Sequence, residues 1–489
     1  MANDNENTAT ATPLQPAQDP EVVAESATES PQVKSRLDRI ADWREKHIPD
    51  TPFLFIMSVV SGLAIGTAAF ILKWTIGMMT KIVAHGMKIA HGNWVLLVVP
   101  LLGIVLTGIF VRYVLRTDIT HGVSKIMKDL KVGIYKLKAM ICYAPILASS
   151  ITLGFGGSAG SEGPIAYVGA GIGSNLARIF RLNPRLMMIM LSCGAGAGIA
   201  GIFKSPIGGF LFTLEVLKVE LTSVTVMALL TSTLTAAMTS YVLSGCTNDL
   251  SFFGYHPFEP HLMPWFILLG VFTGFYSLYY SGVMTRMEKF YDSRKNPWIE
   301  NIIGGLILAA AIFLFPVLYG EGYEAMSDIM NGNTSLVIDY SPLHSFFGYE
   351  WIIIISAGAI LLLKSFAASA SNSAGGVAGD FAPTLFAGCI AGLFFAELLN
   401  KLFGLELPFA DFCFVGMAGV MAGAVRAPLM ALFITVEMTA CYTLFLPVFI
   451  VSGISFGIVR LFTSQEYYAF RDRRKHFTNT DLTGTDTKS

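Results

Sequence analysis

Glu162 is the residue in this chain with the strongest claim to chemistry. It sits in Gly160-Ser161-Glu162-Gly163-Pro164, between the apolar stretches LASSITLGFGG and IAYVGAGIGSNLA. A carboxylate inside such a run costs about 2.5–3.5 kcal/mol on membrane-insertion scales, so it is rare there and faces a cavity or a partner rather than lipid. Glycine and proline at the same place break a helix, and broken backbone at membrane depth is tolerated only where it is buried or lines a cavity. The residue types and their spacing therefore predict a point on an ion or substrate path.

Similar breaks recur around Gly122, at Gly163-Pro164 and at Phe381-Ala382-Pro383. A helix beginning at each would present free N–H groups and a partial positive charge, and several converging N-termini bind an anion without a full cation. Such a site is also weak enough to release its ion, which conduction requires. Tyr442, in Ala440-Cys441-Tyr442, offers a further hydroxyl donor. Cation sites need clustered carboxylates and carbonyls, which the breaks lack, so the expected cargo is an anion. An ionised Glu162 beside such a site would occupy it in the anion's place, and protonation would release it. The residue is thus expected to act as a gate, a proton carrier, or both.

These residues must be positioned by membrane-spanning helices. Of 489 residues, 53% are hydrophobic and only 14% charged, against about 25% in ordinary soluble domains. Apolar blocks long enough for about 30 Å of hydrocarbon are read at 52–80, 93–115, 184–203, 224–244, 262–285, 299–319, 350–368, 383–402 and 443–462. Shorter blocks at 139–155, 163–178, 205–217, 411–424 and 428–438 read as half-helices. A net charge of −1 gives no global field pointing to nucleic acid. Residues 1–48 read as a disordered N-terminal tail without a signal peptide, and 463–489 as a short C-terminal tail. Lys34, Arg36, Arg39, Arg44 and Lys46 precede the first span; Arg471, Arg473, Arg474 and Lys475 follow the last. Basic flanks at both ends predict two cytoplasmic termini. The six scattered cysteines predict neither a metal site nor a structural disulfide.

The chain also repeats itself. At a shift of 222, Ala200-Gly201, Lys204, Pro206 and Glu215 fall on Ala422-Gly423, Arg426, Pro428 and Glu437. At a shift of 219, Gly160, Pro164, Tyr167, Gly169 and Gly173 fall on Gly379, Pro383, Phe386, Gly388 and Gly392. Two motif pairs in one order at nearly one shift predict homologous membrane repeats over 49–245 and 262–462, joined by a linker at 246–261. Repeats with an odd number of crossings insert in opposite orientations, and inverted repeats place their binding site at the interface between them. The predicted fold is all-α and polytopic, with half-helices meeting at a central anion site. Lys204 and Arg426 read as interfacial snorkelling cations, and Glu215 and Glu437 as structural or vestibule acids.

The motifs now carry a resemblance. G-S-E-G-P at 160–164 resembles the G-(R/K)-E-G-P of the CLC chloride channel and transporter family, and G-D-F-A-P at 379–383 resembles its G-x-F-x-P. Tyr442 falls where the family has its pore tyrosine, and R-A-P-L…E-M-T at 426–439 also matches. Covering about 52–462, the resemblance implies a homodimer with one pore per subunit, bound chloride as substrate, and no other cofactor. It implies a bacterial-type member of the inner membrane, without the C-terminal nucleotide-binding (CBS) pair and so without ATP regulation.

Departures from the pattern are informative. The family's anion-contacting serine corresponds to His121, within Thr120-His121-Gly122-Val123-Ser124, which opens anion preference to fluoride or another halide. Ser161 stands where a basic residue is usual, and Asp380 is an extra acid. The inner glutamate of proton-coupled members corresponds to Val216, which leans the expectation toward a channel gated by Glu162. The alternative is an anion/proton antiporter in which Glu215 is the candidate secondary acid. A remote alternative, from G-x-S-x-G at 156–160, is an intramembrane serine hydrolase using Ser158 with His121 as base; the motif lacks the strand–turn–helix setting. The chain is expected not to be an enzyme.

Overall fold

In hydrocarbon every backbone N–H and C=O must be satisfied within its own segment, so the apolar blocks fold as helices. The computed structural model describes residue 44 and residues 46–89, 95–117, 119–253, 257–294, 296–338 and 349–463. The basic residues expected to flank the spans lie outside them, Arg44 and Lys46 excepted. The helices of the first half are α1 (Asp50–Ile89), α2 (Val95–Ile109), α3 (Gly122–Val132), α4 (Ala144–Gly154), α5 (Glu162–Ile179), α6 (Pro184–Phe203), α7 (Pro206–Glu215) and α8 (Ser223–Leu243). Those of the second are α9 (Met263–Asp292), α10 (Pro297–Leu314), α11 (Tyr323–Met330), α12 (Ser335–Ile338), α13 (Tyr349–Ser373), α14 (Phe381–Phe403), α15 (Phe409–Val425), α16 (Pro428–Thr439) and α17 (Phe445–Phe462).

Nine long apolar segments among the described residues meet the length and composition of a membrane span, and they fall on the nine long blocks read from the sequence. Differences lie at the ends. The first helix is 40 residues rather than the expected stretch of 52–80, about 60 Å and long enough to cross with a tilt. The block at 299–319 ends its α-helix at Leu314, because Pro316 cannot continue the ladder, and a 3-10 turn follows at Pro316–Leu318. The block at 139–155 likewise divides into a 3-10 turn at Ala139–Cys142 and α4, which starts with Pro145 in its first turn.

Packing repeats between the halves as the shift predicts. In the first, α5 lies on α6, α6 on α8, and α1 on α6 and α8; in the second, α14 lies on α15, α15 on α17, and α9 on α15 and α17. Each repeat has a close approach of glycine on glycine. A Cβ on Gly169 would stand 2.0 Å from the carbonyl oxygen of Gly194, and one on Gly388 would stand 2.3 Å from that of Gly416. Only glycine permits backbones this near, and dispersion between them replaces the hydrophobic drive that lipid does not supply. Consequently α6 and α15 are buried, whereas α1, α2 and α9 expose large apolar side chains such as Trp74, Leu102 and Phe275 as a lipid-facing belt. The halves are joined through α2 on α10 and α7 on α16.

Candidate functional site

The break residues come together where the repeats meet. Gly160 and Gly379, equivalent by the shift of 219, exchange both backbone hydrogen bonds: the Gly160 N–H donates to Gly379 at 3.0 Å and the Gly379 N–H to Gly160 at 2.6 Å. A pairing of equivalent residues places the pseudo-two-fold axis of the fold through this bridge. One residue beyond Ser161, Glu162 opens α5 and is buried. Its Oε1 accepts the N–H of Phe381 and, at 3.2 Å, that of Ala382. A carboxylate of the first repeat therefore caps the N-terminus of α14 in the second, the position that helix dipole and free N–H groups prepare for an anion. Its Oε2 is buried without a hydrogen-bond partner among the described residues.

Beside the carboxylate is a cavity of about 20 Å³, room for about one water-sized particle. His121, Gly122, Ser124, Glu162, Gly163 and Phe381 all contribute to its lining. The N-termini of α3, α5 and α14 thus converge on one space, as the three breaks predict. His121, left-handed at φ 54°, turns the chain into α3. Ser124, in the first turn of α3, is a hydroxyl contributor missed in the sequence, because alignment gave it the place of a family proline.

Two of the expected site residues stand differently. Tyr442 does not line this cavity. Ala440 ends α16 in the left-handed conformation and the tyrosine beyond it is 58% exposed. Glu215 is committed elsewhere: its two oxygens accept the N–H groups of Leu429 at 3.2 Å and Met430 at 2.8 Å, capping α16. Glu437 returns the arrangement, accepting from Ile207 at 3.1 Å, Gly208 at 3.0 Å and the Ser205 hydroxyl to cap α7. The equivalent glutamates are therefore reciprocal caps between the repeats, the structural reading of the sequence made specific. Val216, next to Glu215, is buried and apolar.

Lys204 does not snorkel as expected. Its ammonium donates to the Thr247 carbonyl at 2.6 Å and to Asp249 at 3.0 Å. Asp380 accepts from the Asn372 amide. The Ser158–His121 pair needed for a hydrolase is not formed, for the buried Ser158 hydroxyl accepts from Lys364 at 2.8 Å instead. Lys364 is fully buried in α13 with its ammonium 4.6 Å from the centre of the Phe386 ring. The sequence carried a signal for it: a single cation ending the apolar run 351–363.

Known proteins resemble this chain in sequence and in fold. The sequence profile described as "Voltage gated chloride channel" matches residues 102–460. A ClcB-like chloride channel protein of Ralstonia nicotianae is 28% identical over 72% of this chain and 80% of its own length. The H(+)/Cl(−) exchange transporter ClcA of Vibrio cholerae is 28% identical over 65% of this chain and 66% of its own. Among solved structures, a slow cyanobacterial Cl⁻/H⁺ antiporter superposes with a TM-score of 0.72 at 21% identity, covering 86% of this chain and 97% of that one. A CLC-type fluoride/proton antiporter superposes with a TM-score of 0.67 at 22% identity, covering 89% and 99%. At these identities the superpositions show the shared fold.

Proposed function

The chain belongs to the voltage-gated chloride channel family and is an integral membrane protein of anion transport; from that premise we propose that it exchanges chloride for protons, with Glu162 as the group that carries the proton. The observation that carries this reading is the Glu162 carboxylate seated on the Phe381 and Ala382 N–H groups. Ionised, it holds an anion's place. Protonated, it loses the charge that binds it there and leaves donors to an incoming anion, so anion and proton take turns at one position. The alternation is coupled transport in its simplest physical form.

Two considerations move the reading from channel to antiporter. Relatives named as H(+)/Cl(−) exchange transporters stand beside the chloride channel proteins, and Glu162 itself is a proton site whatever occupies position 216. Val216 alone is weak ground for a channel, since it concerns the inner end of the proton route and not the exchange at Glu162. With Glu215 held as a helix cap, the inner route runs through neither residue. On this proposal the protein works as a homodimer in a bacterial inner membrane, with both termini in the cytoplasm.

The test is proton uptake into vesicles containing purified protein under an outward chloride gradient, with the membrane potential clamped by a potassium ionophore. Antiport predicts uphill proton movement that stops in Glu162→Gln. Chloride flux with no proton movement would overturn the proposal and leave a channel.

A further inference from the structure

A second carboxylate holds the segment that carries Glu162. Glu321 lies between the turn at Pro316–Leu318 and α11. Its Oε1 accepts the Ser161 backbone N–H at 3.0 Å and the Ser161 hydroxyl at 2.6 Å. Its Oε2 receives the Lys73 ammonium from α1 at 3.1 Å, and the pair is mostly shielded, with 10% of the Glu321 side chain and 23% of the Lys73 side chain exposed. Lys73 is also 3.8 Å from Asp249, whose other oxygen is held by Lys204, and it lies 4.1 Å from the centre of the Tyr323 ring. Burial, reinforced by Glu321, Glu162 and Asp249, holds the Tyr323 phenol well above its ordinary range, so it stays neutral. Asp380, the N-cap residue of α14, and Lys364 of α13 also act electrostatically on Glu162, and His121 lines the same cavity.

Symmetry shows what this cluster is. A Cβ on Gly122 would strike Tyr167, and one on Gly322 would strike Phe386, its equivalent. The Glu321 segment therefore enters α11 as the Thr120-His121 segment enters α3, each through a left-handed cap, Gly322 and His121. Lys73 lies about 35 Å along α1 from Asp50, so with a cytoplasmic N-terminus the Glu321 cluster is on the outward face and His121 toward the inward one. Ser161 carries no charge of its own; the cation beside it is brought by α1.

We propose that Glu321 is a positioning residue for transport: paired with Lys73, it fixes the Ser161 backbone and sets the external pH at which Glu162 leaves the α14 N-terminus. The proposal rests on the reading of Glu162 as the protonatable group. With Glu321 ionised, two hydrogen bonds hold the residue before Glu162 and aim its side chain across the interface. The two opposite charges of the pair are each felt by Glu162, which a purely mechanical anchor would not provide.

The test varies pH on one side of a planar bilayer at a time and reads the midpoint of anion transport. Glu321→Gln removes a negative charge near Glu162 and is expected to move the external midpoint to more acidic pH by about 0.5–1 unit. Lys73→Met removes the positive charge and is expected to move it by about as much to more alkaline pH. Ser161→Lys placed in the Lys73→Met background restores a cation beside Glu321 and is expected to return the midpoint toward its original value. Ser161→Ala, which removes only the hydroxyl bond, gives a smaller shift and serves if a charge variant fails to fold. Opposite shifts confined to one side support the proposal. Unmoved midpoints, or shifts in one direction from both variants, in protein that elutes as the native species and melts cooperatively, overturn it. Loss of pH dependence in Glu162→Gln together with unmoved midpoints in the other variants overturns this proposal alone. A pH dependence that survives in Glu162→Gln overturns the role of Glu162 as well.

Discussion

Replacing Glu162 with alanine removes the carboxylate that, on the proposed function, occupies the anion site. That group accepts two backbone N–H bonds, from Phe381 and Ala382, and a hydrogen bond to a charged group is worth about 1.5–3 kcal/mol. Desolvation of a buried carboxylate offsets about half of the pair, leaving about 1.5–3 kcal/mol that holds the site occupied. A competing anion binds only the fraction of molecules in which the seat is free, so its apparent Kd is raised by the inverse of that fraction. At about 1.4 kcal/mol per tenfold, Glu162→Ala is expected to bind chloride about 10- to 100-fold more tightly than the native chain at neutral pH. The sign with pH follows: the native affinity rises as pH falls and the carboxylate is protonated, whereas the variant's stays flat. Titration calorimetry of chloride into purified protein at neutral and acidic pH measures both. A correctly folded Glu162→Ala protein with native affinity at both pH values would show that the carboxylate and the anion do not share a site.

Other expectations follow from neighbouring contacts. A Cβ on Gly160 would stand 1.9 Å from Glu162 Oε2, the end of a side chain able to move, so Gly160→Ala is expected to fold, displace the carboxylate and flatten the pH dependence of flux. At Gly379 the same addition meets the Gly163 backbone nitrogen at 2.7 Å, and Gly379→Ala is expected to lower the Tm as well, read by fluorescence-monitored melting. Glu437→Ala leaves the N-terminus of α7 without its cap and is expected to cost about 1–3 kcal/mol of stability, while the proton-to-chloride ratio in vesicles stays unchanged; a changed ratio would return these caps to the transport path. Ser158→Ala leaves the buried Lys364 ammonium without its hydroxyl acceptor and is expected to cost about 1–3 kcal/mol by the same measurement.

Much of the site was legible because membranes make certain residues expensive. A carboxylate among glycines in an apolar run, as at Glu162, has few innocent explanations, and Gly122, Gly163 and Phe381 marked helix starts that do converge. The repeat was legible because equivalent residues fill equivalent roles, as Glu215 and Glu437 do in capping each other's helices. Glu321 gave no such signal: an acid in a polar connection between spans is unremarkable in sequence, and its partner Lys73 belongs to a helix in the other half.

Composition and spacing alone determined a polytopic helical protein, its repeats, the anionic character of its cargo and the singular position of Glu162, because desolvation penalties and helix periodicity are written locally. Tertiary structure decided which N–H groups Glu162 meets, that Gly160 and Gly379 pair across the symmetry axis, that Tyr442 stands away from the cavity while Ser124 lines it, and that Glu321 grips Ser161. Those outcomes depend on how residues 160 and 219 positions apart are brought face to face, and hydrogen bonds formed across that interface leave no local pattern in either partner.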